Sequence, residues 1–443
     1  MRRIPPIRPV DSFRGSGGGD SSPRVMDDPR LLLALLLGVA IGLGGVLQGL
    51  QWKNTTPNAG QEGDARKIAA LESELSMVKR ENDALRSLAQ GGGEVAVLPE
   101  WISHVESELG LNFLSSPVVH RIAREELRDR VVASIESRLG PSGMDDRQAA
   151  FELLGLIEPG VDLLTELATA RAVIGDAWFD SSSGEAWVTD RFDAEAVPSQ
   201  AVVLKLLGRI LLHQHAPPQV DPSDDAAWAR EALHEGVALG IEQRYLAKRA
   251  LDSGFLPPER DKVAENIRNA LSPMVKTLLD FTQQDGKAFA DTLHVAGKDE
   301  LRKALRHAAL STHEVVTRRV QPPTELPRLA PGDDEVYLRV SLGMLGLRAC
   351  MANRPGSSPP MDAITEAWRA DHFEFFADGE TDVAVAWLLV FSDEAAAGKW
   401  EEILQLTRHG DESRVIRVVR RGKTEVLLIN CASETLAKGI MTP

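Results

Sequence analysis

The run VLKLLGRILLHQHAP at residues 203–217, followed by DAAWAREALHEGVAL at residues 225–239, decides how the chain reads. In both stretches apolar residues recur at spacings of three and four, the mark of helices that bury one face. Helices are expected over Ser199–His215 and Asp224–Ala250, with Pro217 and Pro218 stopping the first. Upstream, the same spacing predicts helices at Pro99–Leu109, Ala123–Leu139, Asp145–Ile157 and Val161–Ile174. Between Ala177 and Val188 the texture changes to AWF and AWV around Asp180–Gly184, which predicts a short β-hairpin. Downstream, helices are expected at Pro258–Leu271, Met274–Phe281, Lys287–His294 and Lys298–His307. A further helix is expected near Val340–Met351, past a proline-rich stretch. Strands at His372–Ala377, Val383–Phe391, Val415–Arg420 and Thr424–Cys431, with a helix at Asp393–Leu406, predict a small α+β module.

The chain has 443 residues, 50 basic and 65 acidic, for a net charge of −15, with 43% apolar residues. That composition excludes wholesale disorder and a polytopic membrane protein. An acidic body also argues against nucleic acid as a partner, because backbone phosphates need a basic face. Two cysteines, Cys350 and Cys431, are too few for a disulfide framework. They make one bridge or remain two separate thiols, and sequence leaves that choice open.

The N-terminal region has its own organisation. Leu31–Leu50 is uncharged and about 30 Å long as a helix, so a transmembrane helix is expected there. Arg2, Arg3, Arg8, Arg14, Arg24 and Arg30 precede it and only Lys53 follows closely. The positive-inside bias predicts a cytoplasmic N-terminus and an extracytoplasmic main domain; a start at Met26 rather than Met1 would leave only Arg30 and the terminal amine to set that orientation. Ile68, Leu71, Leu75, Val78, Asn82, Leu85 and Ala89 mark a heptad pattern, expected to form a parallel homodimeric coiled-coil stalk. A single amphipathic helix lying on the main domain is the alternative. The expected order is a disordered tail at 1–30, the span at 31–50, a linker at 51–63 and the stalk at 64–90. A helical domain at 94–320, a connecting segment at 321–361 and the α+β module at 362–443 follow.

A zinc peptidase of the gluzincin type carries H-E-x-x-H on one helix, where two His at i and i+4 share a face and the Glu activates water. That motif is absent. The nearest match, His313-Glu314-Val315-Val316-Thr317, ends in a residue unsuited to zinc and reads as a helix end with a solvated His.

Taken in order, LGLIEPGVDLL (154–164), AWFDSSSGEAWV (177–188), the two helical runs above and WRADHFEFFADGETDVAVAWLLVFSDEAAAGKW (368–400) resemble a bacterial family of membrane-anchored, gluzincin-like zinc metallopeptidases. The resemblance covers about residues 111–443. It implies a mainly α, zincin-like domain with a short hairpin. It aligns Glu235 with the family's third zinc ligand and Gln214 with the Gln ending its helix motif. Counting back puts Lys205, Leu206 and Arg209 where the family has His, Glu and His. An ammonium or guanidinium does not coordinate zinc at neutral pH, and Leu206 has no lone pair with which to activate water. The resemblance therefore implies a degenerate member: a pseudopeptidase with no zinc and no catalytic residue. Lys205 and Arg209 are four residues apart and share a helix face, so Arg209, or Lys205, is expected to pair with Glu235. Arg209 is favoured because its planar fork can hold a carboxylate with two bonds. The plainer reading has both cations reaching into solvent on an ordinary amphipathic helix.

Three functions follow. The first is a non-catalytic binding or scaffolding protein of the cell envelope, with the groove kept for a peptide or protein ligand. The second is a working zinc metallohydrolase whose ligands have moved to His213, His215 and Glu235. That set is strained, because residues two apart on a helix diverge by about 200°. The third is a purely structural envelope tether.

Overall fold

The structure, a computed structural model, describes residues 93–140, 143–218, 223–255, 262–307, 310–320, 324, 326–330, 335–352, 366–379, 382–406 and 413–441. The expected tail, span and stalk lie outside the described residues. Within them no helix is long and apolar enough to cross a membrane. The expected single-pass membrane localisation, with a cytoplasmic N-terminus and an extracytoplasmic domain, is corrected accordingly. The physical reason is plain in Val197–His215, which has the length. It carries Lys205, Arg209 and His213, and its apolar residues pack against other protein helices.

Helix α1 (Pro99–Leu109) begins on a proline and ends at Gly110 in the left-handed conformation, burying Trp101, Val105 and Leu109 at four-residue spacing. Strand β1 (His120–Ile122) leads into α2 (Arg124–Leu139), which buries Leu127, Val131 and Ile135. Then come α3 (Gly143–Leu154) and α4 (Leu163–Ile174), the latter capped by the Asp162 carboxylate on Thr165 N–H. The expected hairpin is present as β2 (Ala177–Phe179) and β3 (Ala186–Thr189), with Trp178 opposite Trp187 and their rings stacked at 5.3 Å. Its turn is held by Asp180, which accepts from Ser182 N–H and from the hydroxyls of Ser182, Ser183 and Ser134. β1 joins β3 in parallel, giving a three-stranded sheet of order β1-β3-β2.

Next are α5 (Val197–His215) and α6 (Asp224–Ser253), the 30-residue axis of the helical part. Ser223 caps α6 and Gly254 closes it in the left-handed conformation. After α7 (Lys262–Ala270), α8 (Pro273–Asp280) runs through one π-helical turn, Phe281–Asp285, into α9 (Gly286–Ala296). That turn brings Gly286 onto Gly236 of α6, where a β-carbon on Gly236 would lie 2.1 Å from the Gly286 carbonyl oxygen. No side chain fits between the two backbones. α10 (Lys298–Arg306) and the short α11 (Thr312–Thr317) finish the helical part.

The region 321–361 contributes β4 (Val336–Val340) and α12 (Gly343–Ala352). Strands β5 (Trp368–Asp378) and β6 (Asp382–Phe391), helix α13 (Glu394–Leu406), strands β7 (Val415–Arg421) and β8 (Glu425–Cys431), and helix α14 (Glu434–Met441) follow. They build an antiparallel five-stranded sheet of order β4-β5-β6-β8-β7. Both faces are covered. Val385, Trp387 and Leu389 of β6 join a core shared with α2, α3 and α4, while Ala384, Ala386 and Leu388 face a second core that includes Ala437 and Ile440 of α14. The result is a mainly helical protein with two small sheets.

The start of α6 is tied to that sheet. Buried Asp225 accepts from Thr312 N–H at 3.0 Å and from the Thr312 hydroxyl, and its own N–H donates to Ser341 O. Asp371 of β5, also buried, accepts from the Ser341 hydroxyl, the amides of Leu342 and Gly343, and the Trp387 indole. His313 is not solvated as expected. It is 2% exposed and its ring lies 5.4 Å from that of Trp368, because α11 packs under the sheet. Burial pushes its pKa down to about 4. Cys350 and Cys431 are both buried, and neither is in a disulfide.

Candidate functional site

α5 and α6 lie close together because Gly208 leaves no side chain between them: a β-carbon there would meet Ile241 Cδ1 at 2.8 Å. On either side of that approach the facing residues are charged. Arg209 Nη1 donates to Glu235 Oε2 at 2.8 Å, and Nη2 donates to both oxygens of Glu231 at 2.9 and 2.8 Å. Lys205 Nζ stands 2.5 Å from the other Glu235 oxygen. Phe179 of the hairpin lies under the guanidinium, its ring centre 5.0 Å from Arg209 Cζ, a cation–π contact. The structure thus brings Lys205, Arg209 and Glu235 together. It turns Leu206 away into the apolar core with Val203, Leu207 and Ile210.

Two cations meet two carboxylates in a site graded from buried to half-open. The Arg209 side chain is 3% exposed, Glu235 17%, and Lys205 and Glu231 26% each. Burial works against every one of these charges, yet the neighbours win. Lys205 is raised, chiefly by the Glu235 carboxylate against the cost of burial. Arg209 is raised against burial by Glu231 and then Glu235. Glu235 is lowered against burial by Lys205 and Arg209, and Glu231 against burial by Arg209 and then Arg171. Farther along, burial raises Glu242, only partly offset by Lys205. All four members of the cluster are therefore ionised at neutral pH, and the Glu235 oxygens are engaged by ammonium and guanidinium.

The other sequence candidates are employed elsewhere. His215 Nε2 is 2.8 Å from the Asn112 carbonyl. Gln214 accepts from the amides of Leu114 and Ser115 and donates to the Ser115 carbonyl and hydroxyl, so the end of α5 grips the loop after α1. His213 lies against Gly184 of the hairpin turn and edge-on to Phe179 at 5.6 Å. Burial and then Arg209 lower its pKa. His234 is 4% exposed, and burial, with Arg209 and Arg230, holds it neutral far below the usual imidazole range. Among the described residues no group of three or more His, Cys, Asp or Glu side chains is placed to hold a metal ion, so His213, His215 and Glu235 do not form one.

Glu231 escaped sequence reasoning, although a signal was present. It lies four residues before Glu235, so the acid pair on α6 repeats the spacing of Lys205 and Arg209 on α5. Two facing i,i+4 pairs of opposite sign mark complementary helix faces. Among known proteins, no family model, no curated protein and no solved structure matches the chain.

Proposed function

We propose that this protein is a pseudopeptidase: a zincin-like domain whose metal site has been replaced by an ion-pair cluster and which acts by binding rather than by hydrolysis. One observation carries the reading. Lys205 and Arg209 both reach Glu235, so the carboxylate aligned with a zinc ligand is neutralised by two side chains from the facing helix. An unpaired carboxylate left in a partly buried site would cost several kcal/mol, about 3–5 by the usual measure of broken buried pairs. Cations at both vacated histidine positions remove that cost. With Leu206 in the core, the position aligned with the family's water-activating Glu carries no base. The side chains of Glu231 and Lys205 each keep about a quarter of their surface exposed, and that face is the surface offered to a peptide or protein. The heptads at 64–90 support pairing of two copies.

The test is reconstruction. Lys205→His, Leu206→Glu and Arg209→His together should give a protein that takes up one equivalent of zinc, measured by metal analysis after dialysis, whereas the parent takes up none. Zinc in the parent, or none in the triple variant while it remains folded, would sink the reading.

A further inference from the structure

The face of α6 turned away from the ion-pair cluster borders a cavity. Gly240 follows Glu235 by five residues, about 140° round the helix, and with Gly236 it leaves that stretch of α6 bare of side chains. Residues of α1, α9 and α10 close the other sides, leaving about 200 Å³ walled by Leu109, Val237, Ala290 and Leu301. An apolar cavity of about 150 Å³ holds a benzene molecule, so this one has room for a single ring or a short branched chain.

Two cations also line it, Arg244 and Lys298. The Arg244 side chain folds back along α6: a β-carbon on Gly240 would lie 2.9 Å from Nη1 and 3.6 Å from Cζ. The missing side chain at 240 is what lets the guanidinium lie there. Arg244 Nε donates to Glu108 Oε2 at 2.7 Å, which fixes the group and leaves Nη1 and Nη2 with no hydrogen bond to any described residue. Lys298 runs its stem over Gly110, and its ammonium donates to Ser107 O at 2.7 Å. The two cations are thus anchored on adjoining residues of α1. Both lining carboxylates are already paired, Glu108 with Arg244 and Asp291 with Lys287. Among the described residues Lys298 has no ion pair, so the cavity carries surplus positive charge.

We infer that this cavity binds a small monocarboxylic acid. Its apolar body lies among Leu109, Val237, Ala290 and Leu301, and its carboxylate takes both terminal nitrogens of Arg244, with Lys298 beside it. A planar guanidinium presents two parallel donors to a carboxylate, and an apolar wall with a few convergent polar groups is the usual make-up of a small-molecule site. None of these residues belongs to the ion-pair cluster, so the inference stands apart from the proposed function.

Equilibrium dialysis of the full chain against radiolabelled phenylacetate and, separately, 4-methylpentanoate tests it. At least one of the two should bind saturably at one equivalent. Benzyl alcohol, which lacks the charge, and acetate, which lacks the body, should compete at least about tenfold more weakly than the unlabelled acid. Arg244→Gln should weaken binding about tenfold, the loss of a charge-assisted contact, and Lys298→Gln should weaken it less. Ala290→Leu fills the cavity and should abolish binding. Far-UV circular dichroism verifies that the variants are folded; should Ala290→Leu fail to fold, the partly exposed Arg244 and Lys298 decide the outcome. No saturable binding of either acid, equal competition by benzyl alcohol or acetate, or unchanged affinity in folded Arg244→Gln overturns the inference. Zinc uptake by the reconstructed variant is a separate readout, so either idea fails without the other.

Discussion

Glu235 and Arg209 sit 26 residues apart in sequence and 2.8 Å apart in space, with Lys205 on the opposite oxygen of the same carboxylate. Removing the carboxylate strands a lysine and half of a buried arginine. Glu235→Ala should cost about 3–5 kcal/mol in urea unfolding. Lys205→Met combined with Glu235→Met should cost less than Glu235→Met alone, because Arg209 keeps Glu231 while the lysine charge is gone. Additive costs would show that Lys205 gains nothing from the pair.

Asp225 makes stability fall as the solution becomes more alkaline. Burial pushes its carboxyl up to about 7 against the Thr312 hydrogen bonds, helped by the nearby charges of Asp371 and Glu314. Its unfolded pKa is about 3.9, so the folded chain holds the proton more tightly. This contribution is complete below pH ~4 and is lost as pH rises through about 7. Unfolding free energies measured from pH 5 to 8 should decline, and Asp225→Asn should flatten that decline. Parallel profiles for parent and variant would refute the assignment.

Glu374 works in the opposite direction. Its buried carboxylate accepts from Leu329 and Ala330 N–H, Arg339 Nε and the His372 ring. Burial opposes ionisation, but the His372 bond and the two amides prevail and lower its pKa to about 2. Its stabilisation is present above the unfolded value near 4.3 and lost as pH falls through about 2. Glu374→Gln should be less stable at pH 7 and should lose less stability than the parent on acidification from pH 5 to 2. An unchanged acid limb would contradict this.

Gly236→Ala should destabilise by about 1–3 kcal/mol or more, since its β-carbon would press on the backbone of Gly286 rather than on a movable side chain. Gly286→Ala faces Ala232 O at 2.3 Å and should behave alike. Gly254→Ala provides the contrast. No atom lies within 4 Å of its β-carbon, so the loss there comes only from a φ of +67°. Equal losses at all three positions, measured by urea unfolding, would mean that the crossing is not tight.

Helices with strong punctuation were legible from sequence. Pro99 and Gly110 fix both ends of α1, and the apolar stripes of α5 and α6 place them within a few residues. Strand β1 was hidden because three residues, His120–Ile122, carry no periodicity and pair in parallel with a strand 67 positions later. Strand β4 was hidden between acidic and proline-rich flanks, and α14 by its length of eight residues. Lys205, Arg209 and Glu235 were found through their spacing and the resemblance. Glu231 was not, because its meeting with Arg209 depends on how α5 packs against α6. The burial of His313 likewise depends on Trp368, 55 residues downstream.

The outermost position of β7 in the larger sheet has a consequence for behaviour at high concentration. A border strand presents backbone groups that another molecule can zip onto. Here that border carries Arg417, Arg420 and Arg421, each anchored within its own molecule, on Glu434, on Glu401 and on the Ile440 carbonyl respectively. Two such borders approaching each other would bring six guanidiniums together. Fibre-like stacking through this side is thereby disfavoured, and charge-neutral replacements at these three positions should promote it.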